Sequence, residues 1–275
     1  MNKDLFILRL DENKMICDRA FASYFKGDFK LIEPMVYATD SGKRIRATLY
    51  FETLRMLDKD ISEDDILFAL AIEMIHAYSL VHDDLPAMDN DQMRRGKPTV
   101  HAKYGEDIGI LTGDALLNEA ARLLFALSLR NSKYLKASEY LFRAAGHEGM
   151  IDGQVLDLNQ PKVVDLSYVF DVYSKKTAAL FRAAVVGAAF VAGAGEDTLK
   201  ALEDFAENLG LAFQIQDDLL EESYGDELNI LNVTNRPTAM NLLDKCNDDA
   251  RKNISAMADN DFLLYIIDYL TNRKQ

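Results

Sequence analysis

The stretch that decides the fold is residues 66–97, ILFALAIEMIHAYSLVHDDLPAMDNDQMRRGK. Its first half, Ile66–Val81, is apolar nearly all round, which is typical of a helix buried inside a domain. Pro86 disfavours helical geometry at the residue before it, so we expect the helix to end about there. Asp83 and Asp84 would then lie at a helix C-terminus, where the macrodipole disfavours negative charge.

The second half of this stretch is dense in charge. Its acidic residues are Asp83, Asp84, Asp89 and Asp91, and its basic residues are Arg94, Arg95 and Lys97. Carboxylates this close repel one another unless cations lie between them. Oxygen ligands favour magnesium, which shares its coordination shell with substrate phosphates, and arginines suit phosphate oxygens. The segment therefore predicts a magnesium–diphosphate site, and the alternative is a solvated acidic loop that the basic residues neutralise.

A second acidic stretch, FQIQDDLLEE at 213–222, ends another apolar helix. Asp217 and Glu221 are four positions apart, and Gln214 lies within one helical turn of both Asp217 and Asp218. One such row of polar side chains is often only the solvent-exposed face of a helix. Two of them on separate apolar helices favour a metal cluster held between facing helices, as helix bundles build such sites.

Composition and charge narrow the function classes. The net charge of −14 and the pI of about 4.7 argue against nucleic acid or an anionic membrane surface as the main partner. Two distant cysteines, Cys17 and Cys246, indicate neither a disulfide framework nor a zinc site. The N-terminus lacks the features of a signal peptide, and no run of about 18 uncharged apolar residues predicts a membrane span. We expect a cytoplasmic protein without a transmembrane segment.

Helical periodicity dominates the chain, and no sustained two-residue strand pattern occurs. Ser62 and Asp65 resemble a capping box. Short connections favour one all-α domain over residues 1–275, without a Rossmann-type nucleotide site. The predicted helices are 4–25, 43–57, 63–84, 107–129, 133–157, 166–174, 177–193, 197–221, 237–255 and 260–272.

Three further polar sets interrupt the apolar runs. GKRIR at 42–46 concentrates positive charge before an apolar helix, and Lys175-Lys176-Thr177 precedes another. His76 lies inside the buried helix, one turn after Glu73; a lone histidine there is more often a hydrogen-bonded core residue than a ligand. Together with two acidic pairs, these sets indicate a cavity that accepts more than one phosphorylated group.

These motifs, in this order, resemble the trans-isoprenyl diphosphate synthase (polyprenyl synthetase) family, and within it the bacterial farnesyl diphosphate synthase type. The likeness is close over about residues 35–222. It implies a single-domain isoprenoid-synthase-type helical bundle around a deep central cavity, and a homodimer. The motifs are GKRIR (42–46), EMIHAYSLVHDDLPAMD (73–89), RRGKPT (94–99), LTGDALL (111–117), GQVLDL (153–158), KKTAAL (175–180) and AFQIQDD (212–218).

The resemblance also implies a role for each matching residue. The metal ligands would be Asp83, Asp84, Asp89, Asp217, Asp218 and Glu221, with about three magnesium ions in the substrate complex. Isopentenyl diphosphate would be held by Lys43, Arg46, His76 and Arg95. The allylic diphosphate would be bound by Arg94, Lys176, Thr177 and Gln214, which are also the catalytic residues because they stabilise the leaving diphosphate and the developing carbocation.

The implied reaction joins isopentenyl diphosphate to dimethylallyl or geranyl diphosphate and gives farnesyl diphosphate. Tyr78, five positions before the first aspartate, together with the adjacent Ser79, would limit product length. A structural α-bundle explains neither acidic pair, and a terpene cyclase would not need the residues for isopentenyl diphosphate.

The C-terminal part departs from the family pattern. Glu221 stands where aspartate is usual, and the connection 222–237 is shorter by about ten residues, without the two lysines expected to clamp the diphosphate. Asn232 falls near the second of these, and Arg236 would compensate only if it reaches inward. Two alternatives stay open: a synthase with a ten- or twenty-carbon product, and a weakly active or inactive regulatory subunit of a hetero-oligomeric synthase.

Overall fold

The computed structural model describes residues 1–40, 42–221 and 228–272. Within them the fold is all-α, as predicted, and its regular elements follow in chain order. They are α1 (Lys3–Tyr24), α2 (Ile32–Thr39), α3 (Ile45–Met56), α4 (Glu63–Asp83), β1 (Met93–Arg94), β2 (Lys97–Pro98), α5 (Val100–Tyr104), α6 (Glu106–Arg130), α7 (Lys133–Ala145), α8 (Met150–Leu158), α9 (Leu166–Tyr173), a π-turn (Ser174–Ala178), α10 (Ala179–Ala192), α11 (Glu196–Leu220), a 3₁₀ turn (Ile230–Asn232), α12 (Arg236–Ile254) and α13 (Asp261–Thr271).

The chain forms two compact units. Unit 1 comprises the described residues of Met1–Phe6, Glu52–Asp60 and Lys136–Gln275, and unit 2 comprises those of Ile7–Phe51 and Ile61–Leu135. In unit 2, α4 packs along α6. In unit 1, α11 packs against both α10 and α12. The single domain inferred from the sequence stays a prediction.

Helix α4 begins and ends where the sequence predicts. Ser62 accepts a hydrogen bond from Asp65 N, and the Asp65 carboxylate accepts one from Ser62 N at 2.9 Å, which completes the capping box. Such a cap contributes about 1 kcal/mol to helix stability. The helix ends at Asp83, three residues before Pro86. It is long and apolar enough to span a membrane, yet 67% of its most apolar window is buried inside the protein, as in a core helix.

Four details differ from the prediction. The predicted helix 133–157 is two helices, because the chain breaks at 146–149, where a Cβ on Gly149 would lie 2.1 Å from the carbonyl oxygen of Ala144. Helices α2 and α5 were not predicted, and Pro34 lies in the first turn of α2, where proline is tolerated. The break expected between residues 174 and 177 is a continuous π-turn. A two-residue ladder joins Met93–Arg94 to Lys97–Pro98.

Candidate functional site

The chain after α4 turns back on itself and brings two predicted metal ligands together. Asp89 N donates a hydrogen bond to the carbonyl oxygen of Asp83 at 2.9 Å, and Asn90 N donates to the carbonyl oxygen of Leu85 at 3.1 Å. Asp83 is half-buried and Asp89 is exposed. The end of α4 therefore presents residues 83 and 89 side by side.

Helix α6 approaches this end of α4 through a glycine of the LTGDALL motif. A Cβ on Gly113 would lie 2.1 Å from His82 Nε2, so only glycine leaves room for the imidazole. His82 Nε2 lies 3.0 Å from the carbonyl oxygen of Ile110, which makes Nε2 the protonated nitrogen. These contacts fix the residue that precedes Asp83.

A tight hairpin positions the two arginines that follow the acidic residues. Arg94 pairs with Lys97 across the ladder, and the two central residues, Arg95 and Gly96, have φ of 53° and 74°. Positive φ at both central positions is the requirement of a type I′ turn. The hairpin thus fixes the backbone positions of Arg94 and Arg95.

Asp84 is buried and faces Arg94. The Arg94 Nε and Nη2 atoms lie 2.7 and 2.6 Å from Asp84 Oδ1, and Nη2 lies 3.3 Å from Asp91 Oδ2. Burial raises the pKa of the Asp84 carboxyl, although the hydrogen bond from Arg94 opposes that rise. The structure therefore joins a predicted metal ligand directly to a predicted diphosphate-binding residue.

Unit 2 also brings together three of the four residues expected to bind isopentenyl diphosphate. The pKa of His76 lies well below its ordinary value, first because the imidazole is desolvated and then because Arg46, Arg95 and Arg94 surround it with positive charge. His76 is therefore neutral at physiological pH. The fourth residue, Lys43, is exposed.

Sequence reasoning assigned no role to Arg44, which the structure places inside unit 2. Its side chain is 5% exposed, Nε lies 2.9 Å from Asp18 Oδ1, and Nη1 lies 3.6 Å from Glu73 Oε2. Glu73 in turn accepts a hydrogen bond from Ala47 N at 3.0 Å. Arg44 anchors the GKRIR segment to α1 and α4, and its φ of 54° marks the change of direction before α3.

In unit 1, three predicted residues form one hydrogen-bonded chain. Thr177 Oγ1 donates to Gln214 Oε1 at 2.9 Å, and Gln214 Nε2 donates to Asp218 Oδ1 at 3.1 Å. Asp218 is 1% exposed, and its other oxygen accepts from Tyr173 Oη and from Ile230 N, the latter at 2.7 Å. Burial raises the pKa of Asp218, opposed by these donors. The sequence carries no signal for Tyr173.

The π-turn that carries Lys176 and Thr177 is held between two glycines. A Cβ on Gly153 of α8 would lie 2.3 Å from Lys176 N, and one on Gly210 of α11 would lie 2.5 Å from Ala178 Cα. Lys176 Nζ pairs with Asp157, a residue of the GQVLDL motif that received no role from the sequence. Single turns of π-helix between α-helical segments, such as this one, often occur at functional sites.

The remaining predicted ligands lie at the end of α11. Asp217 is half-buried, and the exposed Glu221 accepts a hydrogen bond from Asn229 Nδ2 at 2.9 Å. Arg236 donates to the carbonyl oxygen of Leu219 at 2.6 Å, so it caps the last turn of α11. Asn232 is exposed. Residues 222–227 of the shortened connection lie outside the described residues.

Tyr78, predicted to limit product length, is 6% exposed on α4. Its ring stands edge-on to His82 with a centroid distance of 5.8 Å. Burial, and then the charge of Asp83, raises the pKa of Tyr78 to about 12. Ser79 donates to the carbonyl oxygen of His76 at 3.0 Å, within the helix.

The chemistry of the carboxylates fits magnesium. Their ligand atoms are hard oxygens, and no group of three or more His, Cys, Asp or Glu side chains is preassembled for a metal in the described part of the chain. Magnesium usually binds through one or two carboxylates and completes its shell with water and substrate phosphates. Water and substrate phosphates would therefore have to complete the coordination of any magnesium bound by these carboxylates.

An all-α fold with acidic pairs at helix ends and clustered arginines is typical of enzymes that act on prenyl diphosphates. The model of the polyprenyl synthetase family matches residues 29–230, and the chain belongs to this family. It is a prenyltransferase of isoprenoid biosynthesis that carries out short-chain prenyl transfer, and its family is generally magnesium-dependent.

Named relatives agree with this assignment. A farnesyl diphosphate synthase from Geobacillus stearothermophilus is 41% identical over 226 residues, which cover 79% of this chain and 76% of the relative. The large subunit 1 of a heterodimeric geranylgeranyl pyrophosphate synthase from Arabidopsis thaliana is 39% identical, covering 70% of this chain and 54% of the relative. The crystal structure of an FPP/GFPP synthase from Zymomonas mobilis has a TM-score of 0.90 and 32% identity, covering 97% of this chain and 98% of that one.

Proposed function

We propose that this protein makes farnesyl diphosphate. It joins isopentenyl diphosphate head-to-tail to dimethylallyl or geranyl diphosphate and releases diphosphate. The observation that carries the proposal is the turn at the end of α4, where Asp89 N donates to Asp83 O beside the hairpin that bears Arg94 and Arg95. It sets carboxylates and guanidinium groups next to each other, as a metal-bound diphosphate requires.

Isopentenyl diphosphate binds to the cluster around His76. The neutral imidazole donates a hydrogen bond to a phosphate oxygen, while Arg46, Arg95 and Lys43 supply the positive charge. Burial is the main cause of the low pKa of His76, and the charges of Arg46 and Arg95 lower it further. An anion that neutralises these arginines is the ligand that this cluster favours.

The allylic diphosphate binds to the metal-ligand residues and to four cationic or polar side chains. Arg94, already hydrogen-bonded to Asp84, contacts its phosphate oxygens. Lys176 and Thr177 are held by the π-turn, and Gln214 Oε1 orients the Thr177 hydroxyl by accepting a hydrogen bond from Oγ1 at 2.9 Å.

Magnesium would be held by Asp83, Asp84 and Asp89 in unit 2 and by Asp217, Asp218 and Glu221 in unit 1. When bound, about three ions neutralise the leaving diphosphate as its bond to carbon breaks. Asp218 already accepts three hydrogen bonds, which fix its carboxylate before any metal arrives.

The reaction breaks the bond between C1 of the allylic substrate and its diphosphate oxygen. Lys176, Thr177 and Arg94 stabilise the departing anion, and the alkene electrons of isopentenyl diphosphate form the new bond to the allylic C1. This leaves a positive charge on C3 of the isopentenyl unit, and a proton then leaves its C2 to the released diphosphate, which forms the new alkene. No side-chain nucleophile takes part, so preorganised positive charge is the catalytic requirement.

Product length depends on Tyr78 in this proposal. Its buried ring on α4, one turn before Asp83, limits the space for a growing prenyl chain, with Ser79 as its neighbour. A ten- or twenty-carbon product is the alternative, since the relatives include a dimethylallyltranstransferase and a subunit of a geranylgeranyl pyrophosphate synthase.

The protein is proposed to act as a cytoplasmic homodimer. Helix α6 exposes Phe125 and Leu129, whose side chains are 71% and 89% accessible. Large apolar side chains this exposed are typical of a surface that another protein covers. A second copy of the chain is the partner that the family resemblance implies.

The competing function is a weakly active or inactive regulatory subunit. The shortened connection after Glu221 and its missing lysines favour it. The intact set of Asp83, Asp84, Asp89, Arg94 and Arg95 favours the active enzyme, because a subunit without turnover has no need of it.

The test is to incubate the purified protein with magnesium, isopentenyl diphosphate and dimethylallyl, geranyl or farnesyl diphosphate in turn. Products are then identified by mass spectrometry. A fifteen-carbon product from both shorter substrates supports the proposal, and a ten- or twenty-carbon product would replace the assigned chain length. The absence of any product from a folded protein that still binds diphosphate would support the subunit function.

A further inference from the structure

The segment Asn229–Arg236 contacts the last turn of α11 at three places. Ile230 N donates to Asp218 Oδ2 at 2.7 Å, Arg236 donates to the carbonyl oxygen of Leu219 at 2.6 Å, and Asn229 Nδ2 donates to Glu221 Oε2 at 2.9 Å. These residues belong to the described part of the shortened connection, 228–237. The protein's own donors therefore reach the acidic end of α11 where the family pattern expects lysines.

The orientation of the Asn229 amide is set by its backbone neighbour. Its side chain is fully buried, and Oδ1 accepts a hydrogen bond from Leu231 N at 2.9 Å. Since the oxygen is used there, the amide nitrogen must point to Glu221. Asn229 is thus a fixed donor to the last carboxylate of the second acidic stretch.

The backbone around Asn229 is itself anchored in the core of unit 1. Ile230 is fully buried and packs in a cluster that includes Tyr173, Ile215 and Leu219. Because the neighbouring backbone is packed in the core, the Asn229 side chain has little freedom to move away from its hydrogen-bond partner. Asn229 is therefore a fixed hydrogen-bond donor to the Glu221 carboxylate.

We propose that Asn229 is a positioning residue that holds Glu221 in place in the metal-free protein and prepares it to bind magnesium. This inference rests on the proposed function, because that function makes Glu221 a metal ligand. An aspartate at position 229 would keep the shape but replace the donor by a second carboxylate. Two carboxylates at this distance repel each other until a cation lies near them.

The experiment compares Asn229→Asp and Asn229→Ala with wild type, using Asn208→Asp as control. Asn208 lies on α11, away from its acidic end, and donates to the carbonyl oxygen of Asp204 at 2.8 Å. Thermal unfolding is followed without metal and with magnesium plus inorganic diphosphate. The dependence of turnover on magnesium concentration is measured in parallel.

We expect Asn229→Asp to lower the metal-free Tm by about 2–6 °C. Magnesium with diphosphate should then raise its Tm more than that of wild type, whereas Asn208→Asp should keep the wild-type increment. Asn229→Ala should need several-fold more magnesium for half-maximal turnover, with kcat at saturating magnesium nearly unchanged.

Equal Tm increments in wild type and Asn229→Asp would overturn the inference, as would a wild-type protein whose Tm does not respond to magnesium and diphosphate. If Asn229→Asp does not fold, an unchanged magnesium requirement in Asn229→Ala overturns it. A wild type that makes no prenyl product but shows the larger increment in Asn229→Asp would refute the proposed function and leave the role of Asn229 standing.

Discussion

The π-turn that carries Lys176 and Thr177, two of the proposed catalytic residues, allows a sharp test of how packing positions them. Gly153→Ala adds a single methyl group to α8. Its carbon would lie 2.3 Å from Lys176 N and 2.7 Å from Lys176 Cα, which are backbone atoms that cannot rotate away. Since such contacts essentially never fall below about 3.0 Å, α8 or the π-turn must move.

The size of the effect follows from this overlap. Inserting a methyl group into a packed core costs about 1–3 kcal/mol, which lowers Tm by roughly 2–4 °C for each kcal/mol in a chain of this size. A displacement of about 1 Å at a catalytic group reduces rate by about 10²-fold. We therefore expect kcat to fall by about two orders of magnitude while the protein remains folded.

The assay measures kcat and KM for geranyl and isopentenyl diphosphates, together with Tm. Gly210→Ala is a second disrupting variant, because its Cβ would lie 2.5 Å from Ala178 Cα. Gly195→Ala is the matched control, since nothing lies within 4 Å of its Cβ and its φ is −74°. If Gly153→Ala and Gly210→Ala both retain kcat within twofold of wild type, the π-turn does not position the catalytic groups.

Three further substitutions test the site. Asp84→Ala should reduce turnover by more than about 10²-fold with the fold retained, because it removes a proposed metal ligand that also orients Arg94; wild-type rates would show that Asp84 has neither role. Tyr78→Ala should lengthen the products identified by mass spectrometry, and an unchanged product profile would reject its role. Because the pKa of His76 is lowered in the folded protein, the unfolded chain binds a proton there below about pH 6.5 and the folded chain does not. The contribution of His76 to the free energy of unfolding is therefore fully present above that pH and is lost as the pH falls below it. His76→Gln should therefore make the loss of unfolding free energy below about pH 6.5 shallower in urea titrations, whereas exposed His147→Gln should not; identical slopes in wild type and His76→Gln would contradict the lowered pKa.

Helix positions with strong local signals were predictable from the sequence. The capping box at Ser62 and the proline after Asp83 fix α4 through contacts within a few residues of each end. Helix α10 ends at Ala192 and is capped by Gly193, whose φ of 76° costs glycine less than any other residue. These signals depend on local chemistry, so they can be read without the tertiary structure.

Other features depend on contacts between residues distant in the sequence. Two glycines, Gly146 and Gly149, break a sequence pattern that is otherwise helical. The π-turn is fixed by Gly153 and Gly210, which lie on two other helices. The apolar periodicity of the chain does not record such contacts. The sequence therefore predicts helices well and their interruptions poorly.

The candidate site shows the same division. The residue types of both acidic stretches and of the arginines predict metal and diphosphate chemistry directly. The sequence did not predict the supporting roles of Arg44, Tyr173 and Asn229. The side chains that they contact lie at least 8 positions away in sequence, and only the tertiary structure brings them together. Their role is to hold other side chains in place.

The turn joining Asp83 to Asp89 is proposed to form a magnesium–diphosphate site that is used to ionise the allylic substrate. The most direct measurement is the single-turnover rate of farnesyl diphosphate formation from geranyl and isopentenyl diphosphates by Asp83→Asn, Asp89→Asn and an exposed control, Asp60→Asn. We predict a fall of at least about 10²-fold for the first two, partly relieved by higher magnesium, and no change for the control. Wild-type rates in Asp83→Asn and Asp89→Asn would contradict the account.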